Sequence, residues 1–330
     1  MPNLIRSAIS LLSLCLILSA SGPALAEPAS NSAATVQALA QRAPKGFFAG
    51  PLSEPLQLLQ VGKYDAVIAA IPETLKGRAA RPDKSYVLQG LAQQALGQYK
   101  PAILSYRLAL QTKPSNSDTL YFLALAQQAD GSNEAALQSV DEALFFAKYT
   151  WVKLDEILFE KGFLLSLVPN APKATEALAQ AIKLNPQNTS ARVLLSRLHS
   201  DSGNRAEALR VLREGTSLQP DHHELRLALA KALVSGADRK LNKSDIDESV
   251  KIAGEVAAAS SDEKAKEASV AYVRSLIAAG NLDTADQAIQ SALKRFPADA
   301  EVQTLSKQLS IEKEAQAAVL AGKSTPVAGS

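Results

Sequence analysis

The chain is poor in the residues that usually carry chemistry. Among its 330 residues are 1 cysteine, 1 tryptophan, 1 methionine and 3 histidines, and aromatic residues make up only 5%. The cysteine, Cys15, sits in an apolar run from Ala8 to Ala20, preceded by Leu14 rather than the small residue that lipid attachment needs. Arg6 is the only charge before that run, Ser21-Gly22-Pro23 break it, and Ala24-Leu25-Ala26 put small residues at the −3 and −1 positions of a cleavage site. A secretory signal peptide over residues 1–26 is therefore expected, leaving Glu27 as the first mature residue. The run is shorter than the roughly 20 residues a membrane span needs, so no stable membrane insertion is expected after cleavage. Cleavage would also remove Cys15, so the mature chain has neither thiol chemistry nor thiolate metal ligands and suits an oxidising compartment. The expected location is the periplasm, with secretion as the alternative.

Charge of one sign is also missing. Lys and Arg number 35 against 33 Asp and Glu, a balance that argues against a general nucleic-acid binder. Val/Ile-rich runs that would build a parallel sheet are scarce. Phosphate-binding Gly-Lys loops, H-E-x-x-H and G-x-S-x-G are absent. Three S-x-x-K matches occur, at Ser261/Lys264, Ser291/Lys294 and Ser310/Lys313, without the partner motifs of a penicillin-binding enzyme. His222 and His223 follow Pro220, where Asp221 and Glu224 have the spacing of a helix N-cap and its N3 partner. Neighbouring ring directions diverge on a helix, so no metal site and no cofactor are expected. His199 falls at a packing position.

What is present is a period. Gly97, Gly131, Gly203 and Gly280 are each followed five residues later by Ala102, Ala136, Ala208 and Ala285, and Pro114, Pro186, Pro220 and Pro297 close most units. Gly97 and Gly131 are 34 residues apart, as are Pro186 and Pro220. A fixed period of this length marks a stack of identical supersecondary units. Between Leu56 and Gln308, apolar residues fall at three- and four-residue spacing in a background of Ala, Leu, Gln, Lys and Glu, which predicts helices.

The clearest unit, Asp83–Asn116, places Tyr86, Gly90, Gly97, Tyr99, Ala102, Tyr106, Ala109 and Pro114 in one frame. It resembles a tetratricopeptide repeat. Gly90 and Ala102 are small where two helices cross, Gly97 is a left-handed C-cap, Tyr106 fills the gap to the next unit, and Pro114 ends the second helix. The same frame opens further units at Ser117, Asp155, Thr189 and Lys266; Lys148 replaces a closing proline and Pro169 an expected glycine. Two units are degenerate. In one, Pro55 shortens the first helix and Pro72 falls in the second; in the other, an insertion near Ser235 to Lys243 delays a second helix to about Asp245. The expected fold is all-α, an α-solenoid coiled as a right-handed superhelix. The array should cover residues 56–318, ending in an amphipathic helix (Val302, Leu305, Leu309, Ile311). Residues 27–55 read as a flexible lead-in in which Phe47 and Phe48 dock on the first helices, and 319–330 as a disordered tail.

The resemblance implies that positions 2, 5, 9 and 12 of each first helix face a concave groove. Position 5 gives Val87, Tyr121, Phe159, Val193, Leu227 and Val270; position 9 gives Leu91, Leu125, Phe163, Arg197, Lys231 and Arg274; position 12 gives Gln94, Gln128, Ser166 and Ser200. The groove would be apolar and aromatic at one end and basic at the other, suiting a peptide with hydrophobic and acidic ends. The implied function is a non-enzymatic scaffold that binds protein or peptide partners during envelope assembly or secretion. The alternatives are a cell-wall- or polysaccharide-active protein with a hidden carboxylate pair, and a self-associating array.

Overall fold

The computed structural model describes residues 33–44, 46–168, 171–235, 241–260 and 263–322. The expected signal peptide, Pro169 and Ser261 lie outside them. The described residues form sixteen α-helices and no strand. In order they are α1 Ala33–Gln41, α2 Ser53–Gln60, α3 Tyr64–Thr74, α4 Pro82–Ala95, α5 Tyr99–Thr112, α6 Ser117–Ala129, α7 Asn133–Phe146, α8 Leu154–Ser166, α9 Ala171–Leu184, α10 Thr189–Asp201, α11 Arg205–Leu218, α12 His223–Val234, α13 Lys243–Ala259, α14 Glu263–Ala278, α15 Leu282–Arg295 and α16 Ala300–Gly322. The chain divides into two compact units, residues 25–198 and residues 199–330, with the boundary inside α10.

In the 25–198 unit the helices pair as α2/α3, α4/α5, α6/α7 and α8/α9, each pair joined by a short turn. The period sets the geometry of these pairs. A Cβ at Gly90 would lie 2.5 Å from the Tyr106 ring, and one at Gly162 would lie 2.6 Å from Leu178 Cγ. These contacts explain the small residue at the crossing. Gly97 takes φ 72° and Gly131 φ 83°, the left-handed conformation that ends α4 and α6. Tyr106 is fully buried, donates its hydroxyl to Gln94 Oε1 at 2.9 Å, and meets the next pair through Phe122 at 6.2 Å between ring centroids. A buried polar rung recurs with the period: Ser105 Oγ donates to Gln93 Oε1 and Ser139 Oγ to Gln127 Oε1, both at 2.7 Å.

In the 199–330 unit α12 packs on α13, α13 on α14, and α14 on α15. Two apolar cores result, one around Leu227, Ala230, Ala253 and Ala268, the other around Val273, Ile289, Val302 and Leu305. Helix α13 starts at Lys243, two residues before the expected point, and Asn242 caps it by accepting from Asp245 N at 2.7 Å. The cap of α12 is His222 rather than the expected Asp221.

Pro72 falls inside the second helix of the first unit, as expected: it sits in the last turn of α3, and the helix stops at Thr74 after 11 residues, against 14 in α5. Two sequence expectations need correction. Residues 27–55 are not a loose lead-in where described: Ala33–Gln41 is helical, Gly50–Leu52 is a 3-10 turn and α2 begins at Ser53. Helix α16 runs to Gly322 with Val302, Leu305 and Leu309 buried, but Ile311 is 61% exposed because it lies off that stripe. Residues 323–330 of the expected tail lie outside the described residues.

Candidate functional site: the first-helix face of residues 25–198

In the 25–198 unit the segment before the array lies against the first helices α4 and α8 and shares a core with residues of α6. Helix α1 packs against α4 as well as α2. The Leu39 carbonyl accepts from Trp151 Nε1 at 2.9 Å, across 112 residues of sequence. Arg42 reaches Glu156, at the start of α8, with a 2.6 Å and a 3.4 Å hydrogen bond in the forked geometry of a guanidinium on a carboxylate. Lys84, on α4, donates to the Phe47 carbonyl at 2.5 Å and stands 3.6 Å from the centroid of the Phe47 ring. Phe48 is buried edge-on against Trp151, whose other side meets Phe122; the ring centroids are 5.4 Å and 5.2 Å apart. Val36, Leu39, Ala40 and Phe48 join one core with Val87, Leu91, Tyr121, Leu125 and Trp151.

Trp151 owes its position to a departure from the repeat. Where Lys148 stands instead of the closing proline, the chain leaves α7 through Ala147 at φ 51°, a left-handed residue without glycine's freedom. The buried Asp118 carboxylate gathers the loop that follows. It accepts from Thr150 N at 3.0 Å, Thr150 Oγ1 at 2.5 Å, Trp151 N at 3.1 Å and Val152 N at 3.0 Å. Ser117 Oγ accepts from Lys148 N at 3.0 Å. Three backbone donors fixed by one charged acceptor hold the loop rigid, and Trp151 is thereby aimed at the first-helix side.

Burial sets the electrostatics of this side. Glu160, on α8, is fully buried and neither of its carboxylate oxygens has a hydrogen-bond partner. Burial pushes its pKa up to about 8, so it carries a proton at neutral pH. Burial, then the nearby Glu160 and Glu156, raise the Tyr121 hydroxyl well above the usual phenol value. Burial, followed by the neighbouring Arg81, lowers Lys84. The hydrogen bond to Glu156 raises Arg42.

The groove residues expected from the sequence therefore divide. Val87, Leu91, Gln94, Tyr121, Leu125 and Phe163 are buried. Val87, Leu91, Tyr121 and Leu125 share a core with Val36, Leu39, Ala40 and Phe48, and Gln94 accepts from Tyr106. Gln128 and Phe159 remain half-buried. Arg197 is half-buried and not free. In the 199–330 unit, Lys231 is paired with Glu267, and Arg274 with Glu301 at 3.0 Å. The expected basic column is thus neutralised by carboxylates from the next first helix or from α16. Sequence reasoning missed Trp151, Asp118, Arg42 and Glu160. The lone tryptophan beside a missing proline was the available signal for the first two.

Among the described residues no group of three or more His, Cys, Asp or Glu is placed to hold a metal. Ser291 and Ser310 donate to the carbonyls of Gln287 and Ser306 in their own helices, and Lys313 is paired with Asp283 and Asp286. These two S-x-x-K matches therefore form no serine–lysine pair. No described helix is long and apolar enough to cross a membrane.

Two stretches match tetratricopeptide-repeat family models, residues 83–116 and residues 170–232. Over these two stretches the chain carries tetratricopeptide repeats. Its fold matches a tetratricopeptide-repeat protein from Parabacteroides merdae at a TM-score of 0.56 and 17% identity, covering 79% of this chain and 97% of that one. It also matches pilF of Pseudomonas aeruginosa (TM-score 0.54, 17% identity, 69% of this chain and 97% of that one). A third match is PilW, a type IV pilus biogenesis factor (TM-score 0.51, 16% identity, 77% and 96%). At these identities the likeness concerns the fold. No curated protein matches the chain in sequence.

Proposed function

We infer that this tetratricopeptide-repeat protein is a non-enzymatic scaffold that holds a protein partner through the first-helix face of residues 25–198. On the sequence reading, it works in the periplasm during envelope assembly. One observation carries the inference: that face holds a helix and a following aromatic pair from a segment 37 to 114 residues away along the chain. The contact types are those of helix-in-groove recognition, an apolar stripe with polar anchors at its edges. The raised carboxyl, Glu160, is sealed from solvent, so it favours no enzymatic reading.

Envelope location and partner binding can be tested together. The full chain would be followed by fractionation, and partners would be captured by cross-linking in intact cells. The expected result is a periplasmic protein with a discrete partner that is lost on Phe159→Ala/Gln128→Ala. A cytoplasmic protein, or a partner set unchanged in that variant, would overturn the reading.

A further inference from the structure

We propose that the segment seen at residues 33–44 and 46–48 is a built-in ligand of the first-helix face, and that the partner which displaces it is a helical peptide of the same chemistry. This rests on the scaffold reading above and names its partner class.

The segment has the properties of a bound peptide. Helix α1 is nine residues long, below the length at which a helix is stable alone in water, so its order comes from what it touches. Its buried residues Val36, Leu39 and Ala40 follow the i, i+3, i+4 spacing of a one-faced helical ligand. Polar contacts from the array anchor its middle and its C-terminal end: Trp151 Nε1 to the Leu39 carbonyl, Glu156 to Arg42, and Lys84 to the Phe47 carbonyl. Glycines flank the aromatic pair. Gly46 and Gly50 take φ 75° and 70°, and a Cβ at either would meet nothing within 4 Å, so both are conformational joints and neither is a packing contact.

Other ties of α1 run to its sequence neighbours. Gln37 and Gln41 donate to the Gln60 carbonyl, Gln60 donates to the Ala40 carbonyl, and Tyr64 donates to the Ala33 carbonyl. These contacts lie at the α2 and α3 end, so release of the face leaves the segment tethered nearby at high effective concentration.

The partner chemistry follows from the contacts. It is a short amphipathic helix with Val- or Leu-like residues at i, i+3 and i+4. An arginine stands at i+6 for the Glu156 carboxylate, and an aromatic residue five or six positions further on fits against Trp151. An acidic residue at the arginine position would meet Glu156 and Asp155 in the first turn of α8 and be rejected.

Trp151 is the only tryptophan, so its emission reports this site alone. In the full chain, Phe48→Ala/Arg42→Glu is expected to shift Trp151 emission to the red while circular dichroism retains the helical signal. A synthetic peptide of residues 33–48 should then restore the blue-shifted emission saturably, and the same peptide with Leu39→Asp should bind at least tenfold more weakly. No restoration by the peptide, equal effects of the two peptides, or loss of cooperative unfolding in the variant would each overturn the proposal. In the unaltered chain, Trp151 emission should change at lower urea than the helical signal; coincident transitions would also overturn it. Failure here leaves the scaffold reading standing, since that reading falls only on the location and capture results.

Discussion

First-helix position nine meets different fates in the two units, while position five is buried in both (Val87 and Tyr121; Leu227 and Val270). In residues 25–198, the position-nine residues Leu91, Leu125 and Phe163 are buried. Leu91 and Leu125 share a core with a segment from before the array. In residues 199–330, Lys231 and Arg274 stay at the surface and are neutralised by Glu267 and Glu301. The frame is the same, and the helices are of similar length. What differs is the covering: an apolar face recruits a segment of its own chain, while a charged face recruits a counter-ion. A position in the repeat frame fixes a direction and does not fix exposure.

The comparison can be broken most strongly at Trp151. Trp151→Ala removes the ring between Phe48 and Phe122 and the hydrogen bond to Leu39. A loss of about 3–5 kcal/mol is expected in urea unfolding of the full chain, as for other buried aromatic truncations. Gly90→Ala should cost about 1–3 kcal/mol, because the Tyr106 ring occupies the space of the new methyl group.

Glu160 gives a pH signature that the 199–330 unit does not share. Its folded pKa of about 8 lies above the ordinary value of 4.5, so the folded protein keeps a proton that the unfolded chain releases. Stability from this group is full below pH 4.5, declines as pH rises from there, and is lost once pH passes about 8. Burial is the cause of that shift, and Glu160 in turn helps to raise the Tyr121 hydroxyl. Glu160→Gln should flatten the thermal midpoint across that window, and an unchanged slope would mean that the carboxyl is not sealed.

The ion pairs should give the smallest effects. Arg42→Ala is expected to cost about 1 kcal/mol, with part of that loss removed by salt, because its side chain is 42% exposed. Lys231→Ala should cost less than about 0.5 kcal/mol, since both partners face solvent. A larger effect for Lys231 than for Arg42 would reverse the comparison between the two faces.

The solenoid was legible because its determinants are local. Gly90 and Ala102 mark a helix crossing, Gly97 and Gly131 mark left-handed caps, and the spacing alone sets the pairs. The covered face was not legible for the opposite reason. Arg42 and Glu156 are 114 residues apart, and Leu39 and Trp151 are 112 apart, with no shared motif. An Ala- and Gln-rich stretch before a repeat array reads as loose because its helicity depends on a distant surface. Docking of Phe47 and Phe48 was foreseeable, since adjacent aromatics in a polar segment need cover. The pairing of Lys231 with Glu267 and of Arg274 with Glu301 was not legible, because the sequence frame counts cations on first helices without showing which carboxylates meet them.

The most direct test is hydrogen exchange at the α1 amides, residues 33–41, in the full chain with and without Trp151→Ala. A nine-residue helix lying free in water would not protect its amides. The expected result is clear protection in the unaltered chain, lost in the variant while α4 to α7 stay protected. Exchange of α1 at the rate of an unstructured peptide in the unaltered chain would contradict the claim that this segment covers the first-helix face.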